Sequence, residues 1–205
     1  MTAEELFFLG RAMNGPYIDY AYIAAMDDIQ KSFAMHEQKN RLSLQNKGLL
    51  SEDFLGNILL SEESNCYRPV FFGNKEGRLE ICGPAGENKL IDLRLHFLDD
   101  SVTVTSLANK QLSLWFLDLD ELSDVLQRIL NLSGLSENVP DETFEIDDAF
   151  KVYVASVGFA EGNSAVKVWY EKDDALFEKT DSSVCRGVSP KKLLDSMVEL
   201  FKGGN

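Results

Sequence analysis

The stretch of residues 111–130, QLSLWFLDLDELSDVLQRIL, decides the fold, because a strand-like segment runs there directly into a helix-like one. Residues 111–117 are rich in apolar and aromatic side chains, and residues 118–130 carry apolar side chains at helical spacing. The same succession returns further along the chain, where residues 184–188 lead into residues 189–201. The sequence therefore contains two strand-to-helix units.

These two units align on one another without gaps. A shift of 71 residues (193 − 122 = 71) places apolar residues on apolar residues, pairing Leu122 with Leu193, Leu126 with Met197, Ile129 with Leu200 and Leu130 with Phe201. Self-similarity of this kind indicates one domain built from two related parts. We therefore predict an α+β fold, a quasi-two-fold domain of two related halves, each built of helices, an antiparallel sheet and a helix.

The seam between the predicted halves is the polar segment 136–142, which contains Pro140. The N-terminal half, residues 1–135, is predicted to hold helices, a five-strand antiparallel sheet and a helix. The C-terminal half, residues 136–205, is predicted to be a shorter repeat of the same unit. Together the halves would form one globular domain, which the length of 205 residues and the 44% hydrophobic content allow.

Hydrophobic periodicity and turn residues place the elements of the N-terminal half. Thr2 is the predicted N-cap of a first helix, and residues 19–34 form a second one. A further helix is expected to open at Ser51 and to bury Phe54, Leu55, Ile58 and Leu59. The strands predicted after it are 67–72, 79–82, 90–97, 102–107 and 111–117, and their short connections imply antiparallel neighbours.

The C-terminal half contains one ambiguous segment, residues 147–158. Its valines favour a strand by their β-propensity. Its alignment with the segment that opens at Ser51 favours a helix instead, and a helix is our prediction. Residues 165–171 and 176–179 are predicted to form a hairpin across the turn at residues 173–174.

The composition restricts the class of partner. The net charge is −14 and the pI is near 4.5, and an acidic surface of this kind repels phosphate groups. We therefore expect neither nucleic acid nor an anionic membrane as a partner. No apolar run approaches the roughly 20 residues that a membrane helix needs, so no membrane insertion is expected.

The sequence also predicts where the protein resides. The N-terminal Met-Thr-Ala-Glu-Glu is acidic and lacks the basic start of a secretory signal. Cys66, Cys82 and Cys185 are isolated and odd in number, which is typical of a reduced compartment. We therefore expect a cytoplasmic protein.

No pattern in the sequence predicts an active site. His36 and His96 are the only histidines, and neither has a cysteine or a second histidine at ligand spacing. The run GPAGENK at residues 83–89 lacks the Gly-Lys-Ser/Thr ending of a phosphate loop, and a hairpin turn is predicted there. We expect no catalytic residues, no metal and no cofactor, and hence a protein that is not an enzyme.

Four short segments carry a family resemblance: TAEELFFLG (2–10), NKGLLSEDF (46–54) and the strand-to-helix junctions LDLDELSDVL (117–126) and GVSPKKLL (187–194). On these segments the chain resembles the EspG-like chaperones of type VII (ESX) secretion systems, as a distant Gram-positive relative. The resemblance covers most of the chain as architecture. It implies a quasi-two-fold α/β fold, in agreement with the internal repeat.

The resemblance implies a cytoplasmic protein-binding chaperone or adaptor for helical type VII secretion substrates. A helical secreted protein would bind by helix-in-groove contacts. The expected contact residues lie in one hairpin loop and are Gly83, Pro84, Gly86, Glu87 and Asn88. An alternative from another class is an acidic immunity protein that neutralises a partner toxin, with fast, salt-sensitive association. The sequence leaves the oligomeric state open.

Overall fold

The computed structural model describes residues 1–26, 33–108, 111–143, 145–159, 162–180 and 184–203. The helices in these ranges are α1 (Ala3–Ala12), α2 (Tyr20–Ala25), α3 (Phe33–Asn46), α4 (Arg68–Phe72), α5 (Leu122–Leu130) and α6 (Pro190–Lys202). The strands are β1 (Leu50–Glu52), β2 (Ile58–Leu60), β3 (Lys75–Cys82), β4 (Lys89–Leu98), β5 (Ser101–Ala108), β6 (Gln111–Asp118), β7 (Lys151–Phe159), β8 (Ser164–Lys172), β9 (Ala175–Glu178) and β10 (Arg186–Val188). None of the described helices has the length and apolarity that crossing a bilayer requires.

Most of the strands join in one sheet, in the order β10-β9-β8-β7-β3-β4-β5-β6, whereas β1 and β2 pair as a separate antiparallel hairpin. β7 runs antiparallel to both of its neighbours, β3 and β8. Between β8 and β9, Asp173 and Asp174 have φ angles of 50° and 57°, the left-handed pair that a tight hairpin turn requires. The predicted α+β class with antiparallel strands is confirmed, and so is this hairpin, although the structure has one large sheet where a sheet in each half is predicted.

The segment 147–158, for which a helix was the prediction, contains strand β7. Val152 of this strand pairs with Tyr170 of β8, and Ala155 pairs with Leu79 of β3. The valines fit the pleated surface because β-branched side chains are favoured there, and two neighbouring strands satisfy the backbone. The helix prediction is wrong because the β-propensity of these valines and the pairing on both sides outweigh the similarity to the segment that opens at Ser51.

Two predictions in the N-terminal half are also wrong. The helix expected to open at Ser51 is the β1–β2 hairpin. The strand expected at residues 67–72 is helix α4. Pro69 lies in its first turn, where a backbone N–H has no partner within the helix, so the missing N–H of proline costs no hydrogen bond. Of the helix expected at residues 19–34, α2 forms Tyr20–Ala25 and ends before the extended Met26, and residues 33 and 34 belong to α3. Residues 27–32 of that prediction lie outside the described residues.

The chain divides into two compact units. Unit 1 is Met1–Asn74 together with His96–Phe116, and unit 2 is Lys75–Leu95 together with Leu117–Asn205. In unit 1, α1 packs on α3, and the fully buried ring of Phe71 lies against α1. A Cβ at Gly10 would come within 2.6 Å of that ring, so close packing of α1 needs a glycine there.

In unit 2, helices α5 and α6 contact each other and bury equivalent positions. Three of the four aligned pairs are buried in both helices, whereas Ile129 and Leu200 are only partly buried. The buried residues are Leu122, Leu126 and Leu130 in α5 and Leu193, Met197 and Phe201 in α6. Ser189 caps α6 by accepting a hydrogen bond from the backbone nitrogen of Lys192. The relation between the two predicted halves, and their division at residue 135, stay predictions.

Candidate functional site

Unit 1 presents large apolar side chains to solvent at the turn of the β1–β2 hairpin. We call residues 53–57, which connect these strands, the hairpin tip. Phe54 is 95% exposed and Leu55 is 71% exposed, although both are large and apolar. The hairpin is anchored at its base by Leu50, which is buried in the core of unit 1. The tip therefore projects two apolar side chains from a fixed support.

A network around Asp53 fixes the conformation of the hairpin tip. The Asp53 Oδ1 atom accepts hydrogen bonds from the backbone nitrogens of Leu55 and Asn57, each at 2.8 Å. The Asn57 side-chain amide donates to Asp53 Oδ2 at 2.9 Å. Gly56 has a φ of 84°, a left-handed conformation that glycine adopts without steric cost. The loop is thus held in one shape without using Phe54.

The charge state of Asp53 is tied to this conformation. The hydrogen bond from the Asn57 side chain, with those from the backbone of the same loop, lowers the pKa of the Asp53 carboxyl. The ionised form, which accepts all of these hydrogen bonds, is therefore favoured at neutral pH. Glu52 forms an ion pair with Arg41 at 3.3 Å just below the tip. The exposed apolar side chains of the tip thus lie next to two carboxylates, Glu52 in an ion pair and Asp53 in hydrogen bonds.

A second surface feature of unit 1 is a groove of about 560 Å³ beside strand β6, which we call the β6 groove. Strand β6 is the last strand in the order of the sheet. Tyr67 and Phe116 both line the groove and contact each other edge-on, with ring centroids 4.9 Å apart. The residues that line the groove are Met1, Lys47, Leu49, Tyr67, Leu112, Ser113, Leu114, Trp115 and Phe116.

A buried carboxylate holds one wall of the β6 groove in place. Glu5 of α1 is only 5% exposed and accepts hydrogen bonds from the Thr2 nitrogen at 2.8 Å and from Ser43 Oγ at 2.5 Å. The Lys47 ammonium donates to the same carboxylate at 2.5 Å. Burial alone would raise the pKa of Glu5, but the hydrogen bonds from Lys47, Ser43 and Thr2 outweigh it and lower the pKa. Lys47 therefore reaches the groove with its charge already compensated.

The loop predicted as the contact site lies in unit 2, between β3 and β4. Gly83 is buried, and its nitrogen donates to the carbonyl oxygens of Glu87 and Asn88 at 2.9 and 3.0 Å. Pro84, Glu87 and Asn88 are exposed. The turn predicted at these residues is present, as a short 3₁₀ turn over Pro84–Gly86.

The predicted loop is packed on one side by the segment before β7. The Ala85 nitrogen donates to the carbonyl oxygen of Ala149 at 2.9 Å, and a Cβ at Gly86 would meet Ile146 at 3.7 Å. Ile146 is itself exposed, and Phe150 is 58% exposed. The structure thus brings exposed apolar side chains next to the predicted loop, which the sequence reasoning did not include in the site.

The residues that sequence reasoning missed are those of the hairpin tip. Phe54 and Leu55 were expected to be buried on a helix, whereas they are among the most exposed large apolar side chains of the described chain. The signal that could have revealed them is the run from Asp53 to Asn57. An aspartate followed by a glycine three residues later is typical of a turn, because aspartate accepts from nearby backbone nitrogens.

Buried polar side chains in each unit form hydrogen bonds with one another. In unit 1, Tyr22 Oη lies 2.7 Å from His96 Nε2 and 2.5 Å from Thr105 Oγ1, and all three residues are buried. In unit 2, the Tyr153 hydroxyl donates to Glu171 at 2.5 Å, and burial together with this carboxylate raises the pKa of the tyrosine. Among the residues that the structure describes, no group of three or more His, Cys, Asp or Glu side chains is placed to hold a metal ion.

Comparison with known proteins assigns no family to the chain. No protein-family model matches it, and a search of the curated proteins gives no match. The resemblance to the EspG-like chaperones therefore stays a prediction, and the function is argued from the surfaces described above.

Proposed function

We propose that this protein is a cytoplasmic protein-binding chaperone or adaptor for helical substrates of a type VII secretion system. The observation that carries the proposal is the hairpin tip, where Phe54 is 95% exposed and Leu55 is 71% exposed on a loop of fixed shape. Large apolar side chains presented in this way are typical of protein contact sites, because a partner gains by covering them. The family resemblance supplies the class of partner, a helical secreted protein.

The physical basis of binding would be burial of the tip against an apolar face of the substrate helix. Burying a Phe or Leu side chain stabilises a complex by roughly 1.5–3 kcal/mol per side chain from apolar area alone. The Asp53 network supports tight binding, because a loop already held in its bound shape loses little conformational entropy. A chaperone of this kind would keep the apolar helix covered until export.

The net charge of −14 adds a preference among helical partners. Helices that carry lysine or arginine beside their apolar face would be steered to the protein, whereas acidic helices would be repelled. The charge would act mainly on the rate of association, and the apolar contact would supply most of the affinity.

Capture of substrate in the source cell tests the proposal. The tagged wild-type protein is compared with Phe54→Ser, and with Val166→Ser as the matched control. Val166 is 60% exposed on β8 in unit 2, so the control removes an exposed apolar side chain elsewhere. We expect wild type and Val166→Ser to retain a helical protein secreted by the type VII system, and Phe54→Ser to retain at least about tenfold less, as for an interface hot spot.

Two outcomes would contradict the proposal. Recovery of no secreted helical protein by a folded, abundant wild-type bait would exclude the chaperone function. Recovery of a single toxin, with binding that weakens steeply as salt is raised, would support the immunity protein instead, because contacts between exposed charges are screened by salt. A contact dominated by apolar burial is expected to change little over the same range of salt.

A further inference from the structure

Strand β6 has an outer edge, part of which no other described strand pairs with. It stands at the end of the strand order, so only one of its sides pairs with the rest of the sheet. From Gln111 to Leu117 the strand contains no charged residue and no proline. Edge strands of folded proteins usually carry such residues or are covered, because bare edges pair with other chains. Between Gln111 and Leu117 the edge of β6 therefore has neither a charge nor a proline to discourage pairing, and the one charged residue of the strand, Asp118, is its last.

The hydrogen bonds at the start of β6 show which backbone groups face outwards. The Leu112 nitrogen donates to the Met1 carbonyl oxygen at 3.3 Å, and the Met1 nitrogen donates to the Leu112 carbonyl oxygen at 3.4 Å. Backbone groups of alternate residues point to the same side of a strand. Leu114 and Phe116 therefore direct their N–H and C=O groups outwards, in line with Leu112. Within the described residues, no hydrogen bond reaches these outward groups.

The first two residues of the described chain already bind to part of the outer edge of β6. Thr2 forms an antiparallel bridge with Gln111, so residues 1 and 2 act as a short extended strand beside the beginning of β6. The β6 groove, of about 560 Å³, runs on past this point along Ser113, Leu114 and Trp115. Residues 1 and 2 thus already pair with the start of the outer edge of β6 as an extended backbone. The space next to Leu114 and Phe116 lies further along the same edge.

A second copy of the chain is a poor occupant of this edge. The open part offers only the outward groups of two residues, whereas stable interfaces between folded proteins bury roughly 1,200–2,000 Å² in total. Two copies would also bring together net charges of −14 each. A flexible segment needs only the edge itself, and main-chain hydrogen bonds supply its affinity. Residues 111–117 carry no charge, the charge of Lys47 is compensated by Glu5, and β6 ends in Asp118, so the edge favours a segment without acidic side chains.

We infer that the β6 groove binds an extended, alternating apolar segment of another polypeptide, which adds to the sheet as a strand hydrogen-bonded to Leu114 and Phe116. Side chains on one face of this segment would contact Phe116 and Tyr67, and those on the other face would contact Trp115. This inference shares one assumption with the proposed function, which is that the protein binds another polypeptide. It concerns a different surface and a different conformation of that partner.

Amide hydrogen exchange in the whole protein tests the inference residue by residue. The probe is the synthetic peptide Lys-Val-Thr-Val-Thr-Val-Thr-Lys, and the matched control is the same peptide with its valines N-methylated, which removes backbone donors and keeps the charge. In the free protein, the Leu114 and Phe116 amides should exchange fast and those of Ser113 and Trp115 slowly. Saturating peptide should slow Leu114 and Phe116 by at least about tenfold and leave Ser113 and Trp115 unchanged.

A variant checks that the backbone donor carries the binding. Leu114→Pro removes an outward N–H, a position at which an edge strand tolerates proline. We expect this variant to lose peptide binding, Leu114→Val to keep it, and Phe54→Ser to keep it as well. The last comparison separates failure of this inference from failure of the proposed function. If Leu114→Pro does not fold, the amide exchange of the wild-type protein with and without peptide still tests the inference.

Three results would overturn the inference. The first is unchanged exchange at Leu114 and Phe116 with millimolar peptide. The second is equal slowing at all four amides, which would indicate general stabilisation rather than strand addition. The third is slow amide exchange at Leu114 and Phe116 in the absence of peptide that becomes slower as the protein concentration rises. This result would show that a second copy of the chain binds the edge.

Discussion

The buried carboxylate of Glu5 offers the sharpest stability test of unit 1. It joins α1 to α3 and to Lys47, because one carboxylate accepts from the Thr2 nitrogen, from Ser43 Oγ and from Lys47 Nζ. Glu5→Gln keeps the shape of the side chain and removes its charge. The glutamine amide can still accept from the Thr2 nitrogen and donate to Ser43 Oγ, so the substitution removes mainly the charge that strengthens these hydrogen bonds and the ion pair with Lys47.

The expected loss of stability in Glu5→Gln depends on how far the groups that bind Glu5 are exposed to solvent. Lys47 has a side chain that is 41% exposed, so water can replace much of its ion pair with Glu5. The pair itself is therefore assigned at most about 1 kcal/mol. Weakening a buried hydrogen bond to a charged group adds roughly 1–2 kcal/mol. We expect Glu5→Gln to lower the free energy of unfolding by about 1–3 kcal/mol at pH 7.

The pH dependence gives a second, independent signature. The pKa of Glu5 is lower in the folded protein than in the unfolded chain. The ionised carboxylate therefore stabilises the fold above the unfolded pKa, roughly 4.3, and this contribution is lost as the pH falls through the folded pKa. The difference between wild type and Glu5→Gln should be constant near neutral pH and shrink at acidic pH.

Urea denaturation followed by circular dichroism measures both effects. Glu37→Gln, which changes an exposed carboxylate of α3, is the matched control and should alter the free energy of unfolding by less than about 0.5 kcal/mol. The reasoning would be refuted if Glu5→Gln were as stable as this control at pH 7. It would also be refuted if the loss were the same at pH 7 and at pH 3.5.

Three further predictions concern the tip and the cores. Phe54→Ser should change the free energy of unfolding by less than about 0.5 kcal/mol in urea denaturation, whereas Phe71→Ala, at a fully buried ring, should cost about 3–5 kcal/mol. Asp53→Ala should speed amide exchange at the two nitrogens whose hydrogen bonds it removes, and unchanged exchange would mean that the loop is held by other contacts. Gly187→Ala should lower the melting temperature sharply, because its Cβ would lie 2.0 Å from the Val139 carbonyl oxygen, and a melting temperature equal to wild type would contradict this packing.

Elements with strong local signals could be predicted from the sequence. The capping box at Thr2 and Glu5 starts α1 as expected, and Ser189 with Pro190 starts α6. These signals work because the capping hydrogen bonds are made within a few residues. The segments that form β4, β5 and β6 were predicted from their alternating polarity and their β-branched and aromatic side chains, which favour a strand over a helix.

The errors arose where tertiary contacts decide the structure. The segment that opens at Ser51 is apolar enough to suggest a buried helix, but the local hydrogen bonds of Asp53 turn the chain back on itself. Residues 67–72 combine aromatic and β-branched side chains that favour a strand, and Pro69 with the burial of Phe71 favours a helical turn instead. Such competition cannot be resolved from the periodicity of a short apolar segment.

The candidate site was predictable only in part. The turn at residues 83–88 follows from its glycines and proline, and it is present, but its exposed neighbours Ile146 and Phe150 come from a distant part of the sequence. The exposure of Phe54 could not be predicted, because an apolar residue in a sequence is normally assigned to the core. An exposed phenylalanine on a fixed loop is recognised only once the structure gives the exposure of its side chain.

The affinity of the purified protein for a secreted helical substrate tests the central claim most directly. Isothermal titration of that substrate with wild type, Phe54→Ser and Val166→Ser measures whether the hairpin tip is the contact surface. The account predicts a dissociation constant raised at least about tenfold for Phe54→Ser and unchanged for Val166→Ser, as for loss of an aromatic hot spot. Equal affinity of all three proteins would contradict it.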